Sequence, residues 1–141
     1  MSLTSAPKEV KTSRIWLGGL ITIALAVVGN LILVWLANLL VEIPPEFEPL
    51  QPWRVSLFTV VGVLGGVIVY AILAAKAKRP IRTYKRVAWI VLALSMIPDL
   101  GLYFANVMPG TTLTAVIVLM LTHVVAGLIA IYVLPMLTRA K

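Results

Sequence analysis

Apolar residues in this chain come in four long blocks, and short polar segments stand between them. The blocks cover residues 15–41, 55–75, 87–105 and 113–137. Within them the pattern is neither the alternation of a strand nor the one-sided stripe of a surface helix. Each block is apolar nearly all round, which is the signature of a helix immersed in lipid. At ~1.5 Å of rise per residue each is long enough to cross a ~30 Å hydrocarbon core, the longest of them with tilt. The pattern predicts an all-α polytopic membrane protein, a four-transmembrane-helix antiparallel bundle in one domain over residues 15–138. Residues 1–14 are expected to form a loose tail and residues 139–141 a short polar end. The first block far exceeds the ~7–15 apolar residues of a signal-peptide core, and no small-x-small site closes it, so it is read as a retained span.

The connectors differ in kind. Residues 42–54, "EIPPEFEPLQPWR", hold four prolines and three glutamates and predict an ordered, solvated loop rather than a helix. Residues 76–86, "KAKRPIRTYKR", hold six positive charges: Lys76, Lys78, Arg79, Arg82, Lys85 and Arg86. A short turn, "NVMPGTT", joins the last two spans.

Composition sharpens this picture. Hydrophobic residues make up 61% of the 141 residues and charged residues 12%, against about 45–50% and about 25% in soluble domains. The net charge of +7 sits in clusters between spans and comes with no nucleic-acid reading motif, so it reports topology rather than a nucleic-acid partner. Lysine and arginine crowd the amino tail, the 76–86 segment and the carboxyl end, while the two opposite connectors hold only Arg54. The positive-inside rule therefore places both termini in the cytoplasm. Trp16 and Trp89 fall at the inner boundary, Trp35 and Trp53 near the outer one, as aromatic belts do. The six charges offer contacts to anionic lipid headgroups as a secondary role. With no cysteine, disulfides, thiol chemistry and iron–sulfur clusters are excluded.

Candidate chemistry lies inside the third and fourth spans. Asp99 is the only acid in any apolar block, and His123 is the only histidine of the chain. Counting from opposite faces, Asp99 lies roughly 18 Å deep and His123 roughly 15 Å deep. Helical side chains lean toward their own amino terminus, so on antiparallel neighbours the two tips approach each other. An Asp99–His123 pair near mid-membrane is therefore expected. Ser95, Asp99 and Tyr103 share one stripe of span three, and Asn30 lies on a small-and-polar stripe of span one with Gly19, Thr22 and Ala26. Pro98 removes a backbone donor and frees the carbonyl of Leu94, which predicts a kink or break where Asp99 caps the second half-helix. Gly62, Gly65 and Gly66 in span two, and Gly127 in span four, are candidates for close helix packing.

Three roles compete for the polar residues. They serve as interhelical glue, as a proton or cation site, or His123 serves as one axial ligand to a haem or chlorin beside Ala126 and Gly127. There is no phosphate-binding glycine loop, no His–Glu metal motif and no nucleophile elbow. No cofactor and no metal are predicted. The leading reading is a small non-enzymatic structural or accessory membrane protein whose partners are the bilayer and other membrane proteins; the alternative is proton- or ion-coupled transport or sensing through Asp99 and His123.

The segments "RPIRTYKRVAWIVLALSMIPDL" and "TTLTAVIVLMLTHVVAGLIAIYVLPMLTR" resemble a group of uncharacterised four-span bacterial membrane proteins classed as a domain of unknown function. The shared pattern is a basic loop before span three, a proline near its middle, and a histidine in span four followed by a valine- and alanine-rich run. The resemblance spans about residues 15–139 and implies a multi-pass protein of a bacterial inner membrane. It makes Pro98, Asp99 and His123 family features, and it brings no activity with it. The long proline-rich loop is read as particular to this chain.

Overall fold

A computed structural model describes residues 8–141 and turns each apolar block into one helix. The helices are α1 (Ile15–Leu40), α2 (Pro52–Lys76), α3 (Pro80–Ala105) and α4 (Leu113–Thr138). All four are long and apolar enough to cross a membrane. Their outward faces carry exposed Leu, Ile, Val, Phe and Trp throughout, a surface that hydrocarbon tolerates and water does not. The chain is a multi-pass membrane protein built as a four-helix bundle.

Helix ends follow local chemistry. Pro52 and Pro80 sit at the first turns of α2 and α3, where the fixed φ is suitable and the missing N–H costs nothing. The Thr112 side chain caps α4 by accepting the Ala115 N–H at 3.1 Å. α3 ends at Asn106, left-handed at φ 48°, with its N–H donating to the Leu102 carbonyl at 3.1 Å. Gly110 has φ 72°, and a Cβ there would come within 2.9 Å of the Phe47 nitrogen, so this turn demands glycine on two counts.

Several boundaries differ from the sequence expectation. α3 starts at Pro80, ahead of Val87, and leaves only residues 77–79 as a connector. The reason is that Ile81 and Tyr84, spaced three apart, bury one face of a helix whose other face carries Arg82, Lys85 and Arg86. α3 also continues through Pro98 as one helix. There is no second half-helix to cap, and Asp99 turns to a side chain instead. The 42–54 segment contains a 3-10 turn at Glu48–Leu50 and buries Phe47 and Leu50. Its prolines order it, and its two large apolar residues plug the bundle end. The expected loose tail lies outside the described residues for positions 1–7. Beyond them, Val10 is buried and pairs with Arg139 as an isolated antiparallel bridge.

In the bundle, α1 packs on both α2 and α4, and α4 packs on α3. The α2–α3 contact is sparser. Two apolar clusters close the ends. One joins Ile15, Val67, Tyr70, Ile81, Tyr84 and Leu134 beside the termini. The other joins Val34, Phe47, Leu50, Val55, Ala115 and Val116 at the opposite end. A polar layer lies between them.

The close approaches between helices are at Gly18, Gly19 and Gly127. A Cβ at Gly19 would meet Val67 Cγ1 at 2.7 Å, one at Gly18 Thr138 Cγ2 at 2.9 Å, and one at Gly127 Leu92 Cδ1 at 2.8 Å. Gly66 faces the Tyr84 hydroxyl at 3.4 Å. Gly62 and Gly65, by contrast, would meet no described atom within 4 Å. The GxxxG-like pair Gly62 and Gly66 therefore meets a neighbouring helix only at Gly66, because α3 stands away from α2 at Gly62.

Candidate functional site

α3 and α4 are held in register by Leu92 seated on Gly127. One turn from Gly127 on α4 stands His123, and two turns from Leu92 on α3 stands Asp99. His123 Nδ1 and Asp99 Oδ2 approach to 2.8 Å. The expected pair is thus brought together. The contact is short but not aligned as a hydrogen bond, and neither atom has another hydrogen-bond partner among the described residues. The Asp99 side chain keeps 9% of its surface exposed and that of His123 35%.

α1 and α2 bring the second half of the layer. Asn30, 1% exposed, donates from Nδ2 to Thr59 Oγ1 at 2.9 Å. Its amide oxygen Oδ1 has no partner among the described residues. Asn30, Thr59, Ser95, Asp99, Thr122 and His123 all line one cavity of about 580 Å³. The rest of its wall is largely apolar and includes Phe58, Val61, Gly62, Val91, Leu92 and Pro98.

Other expected residues take other places. Ser95 lines the cavity, but its hydroxyl donates back to the Leu92 carbonyl at 2.6 Å. Thr122 does the same toward Leu119 at 2.6 Å. Tyr103 stays out of the cavity; it packs on the end cluster and lies edge-on to Phe104 at 5.4 Å. Leu92 packs on Gly127, one turn from His123, and Ala126 and Gly127 line the cavity with it. Lys76 ends α2, Lys78 and Arg79 lie in the connector, and Arg82, Lys85 and Arg86 project from the first turns of α3. Lys85 stands over the Tyr132 ring at 4.8 Å. Of the acidic loop residues, Glu48 pairs with Arg54.

Sequence reasoning missed Thr59 and the cluster at the termini. Thr59 sits one turn from Gly62 and Val63 on the inner face of α2, and that spacing was the available signal. At the other end the Tyr70 hydroxyl shares a hydrogen bond of 2.7 Å with Thr138 Oγ1. The Tyr84 hydroxyl donates to the Ala130 carbonyl at 3.2 Å, and the two rings meet edge to face with centroids 4.8 Å apart. Thr138 falls just past the last apolar residue, and Tyr84 falls inside a basic segment, so neither reads as interior.

The chemistry of the pair follows from charge. In low dielectric an isolated carboxylate is costly, at least ~2.5–3.5 kcal/mol on the mildest membrane scale. With one proton between them, the carboxyl and imidazole are net neutral, either as two neutral groups or as an ion pair. Gaining or losing one proton leaves a net charge beside a mostly apolar wall. The pair can therefore convert proton occupancy into a large change in local electrostatic energy. Comparison with curated proteins finds no match, and comparison with solved structures finds none either. The model of a family of unknown function, DUF6069, matches residues 10–140. That match takes in all four helices and every residue of the polar layer, and the chain belongs to this family.

Proposed function

We propose that this protein is a proton-responsive membrane protein, in which the Asp99–His123 pair takes up and releases a proton and couples it to transport or sensing. Both termini and the basic 76–86 segment lie on the cytoplasmic side of a cell membrane in this reading, as the distribution of lysine and arginine requires. The observation that carries it is the 2.8 Å approach of Asp99 Oδ2 and His123 Nδ1, which have no other partner among the described residues, in the wall of a cavity. Simple interhelical glue is built differently. It closes its polar groups on one another in dry packing, as Tyr70 and Thr138 do here.

Infrared difference spectroscopy of the protein in lipid, as pH is stepped across the range in which the protein stays folded, tests this. A pH-dependent imidazole band is expected for His123. A carboxyl or carboxylate band that changes with it is expected to disappear in Asp99→Asn. If neither group changes protonation across that range, the reading is wrong. A second reading, a scaffold acting through helix packing, is favoured by the tight approaches at Gly18, Gly19 and Gly127. Under it, Asp99→Asn lowers folded protein in the membrane and leaves the infrared difference spectrum featureless in the wild type.

A further inference from the structure

The cavity opens to one side. Its wall residues Phe58, Val61 and Gly62 on α2, and Val91 and Pro98 on α3, are exposed. The two helices meet where Tyr70 touches Tyr84. Beyond that contact, α3 buries no residue until Asp99. Between these levels α2 and α3 part, and the gap faces the hydrocarbon. Gly62 stands at this mouth with room for a side chain.

The inner wall of the gap has an unmet requirement, and its sign is informative. Asn30 has committed its amide nitrogen to Thr59, and its oxygen Oδ1 accepts nothing. Asp99 Oδ2 accepts no aligned hydrogen bond from any described residue. Asp99 Oδ2 and His123 Nδ1 have each other at 2.8 Å, whereas Asn30 Oδ1 has no partner among the described residues and is an acceptor, so what is missing is a donor. With one proton the pair is net neutral, so a cationic head finds no net charge to answer, and an anionic head would lie against the Asp99 carboxyl oxygens. A neutral hydroxyl meets both conditions. The body attached to it must be apolar, because it lies against Phe58, Val61, Val91 and Leu92 and reaches the site through lipid. About 580 Å³ falls within the ~300–1,000 Å³ of small-molecule sites.

We propose that the cleft between α2 and α3 is a lateral binding site for a neutral, hydroxyl-headed lipophile, a membrane-soluble alcohol or phenol, with its O–H donating to Asn30 Oδ1 or to Asp99. This names a ligand class for the cavity of the proton pair, and it rests on that pair being its polar wall.

Farnesol is a suitable probe, and its methyl ether has the same chain without the donor. Saturable binding to the protein in nanodiscs is measured for each by native mass spectrometry. Farnesol is expected to bind at one site, about tenfold or more tighter than the ether. Gly62→Leu fills the mouth, has a Cβ that meets no described atom within 4 Å, and is expected to weaken farnesol binding by about tenfold with no fall in melting temperature. Asn30→Leu is expected to narrow the preference for alcohol over ether. Should that buried variant fail to fold, the alcohol–ether comparison and Gly62→Leu decide alone. Equal binding of alcohol and ether, no saturable binding, or indifference to Gly62→Leu each overturns the proposal. The infrared test uses ligand-free protein, so the two ideas fail separately. Proton exchange without farnesol binding removes only the ligand. Farnesol selectivity without proton exchange removes only the proton.

Discussion

Gly19 and Gly62 are the same residue in helices of the same kind, yet their surroundings are opposite. A Cβ at Gly19 would meet Val67 at 2.7 Å, whereas at Gly62 it would meet nothing within 4 Å among the described residues. The same substitution should therefore act with opposite sign. Gly19→Ala should lower unfolding free energy by about 1–3 kcal/mol, the range for overpacking. Gly62→Ala should raise it by about 0.5–1 kcal/mol through backbone entropy and helix propensity. Detergent titration followed by tryptophan fluorescence measures both, and a matching sign at the two positions would refute the placement of α2 against its neighbours. Spacing alone picks out Gly62 with Gly66, because sequence shows a small residue but not the helix that comes near it. Asp99 and His123 were legible for a different reason. Each is one of a kind inside its span, and helical rise puts both at one depth. Thr59 was not, since threonine in a helix so often bonds its own backbone, as Thr22 does to Gly18 at 2.7 Å.

At the scale of elements, α3 is held at its two ends and little between. Tyr84 is buried against Tyr70 near its start, and Asp99 is the next buried residue along it. The number of helices and their approximate limits were visible in the apolar blocks, because lipid demands whole apolar turns. The early start of α3 was hidden by charge, because a helix that leaves the hydrocarbon can carry arginine on one face and tyrosine on the other. The end cluster has its own test. Thr138 Oγ1 serves the Tyr70 hydroxyl at 2.7 Å, and the Thr138 carbonyl accepts the Lys11 N–H at 2.9 Å. Thr138→Val keeps the shape and strands a hydroxyl on Tyr70, a residue with 0% exposure. A cost of about 1–3 kcal/mol is expected. Amide exchange at Lys11 and Ala140, whose N–H groups tie the two terminal segments together, should quicken by about tenfold or more. Unchanged exchange there would show that the segments are held without the hydroxyl pair.

At the scale of the molecule, the up-down-up-down path of four helices brings both terminal segments and the α2–α3 connector to one end. Eleven of the twelve lysines and arginines lie at that end, and the remaining one, Arg54, is neutralised by Glu48. Several of them crowd the start of α3, where the helix dipole disfavours positive charge, so local stability does not account for their place. In the orientation we propose, retention on the cytoplasmic side during insertion accounts for it. The chain lacks cysteine, so single introduced thiols report position without background. Lys78→Cys, in the basic connector, should resist an impermeant maleimide in intact cells and react after permeabilisation. Glu46→Cys, in the exposed part of the opposite loop, should react in intact cells. The reverse pattern would invert the orientation and, with it, the side from which a proton reaches Asp99. Labelling of both from one side would break the four-span topology itself, because the single crossing of α2 lies between residues 46 and 78.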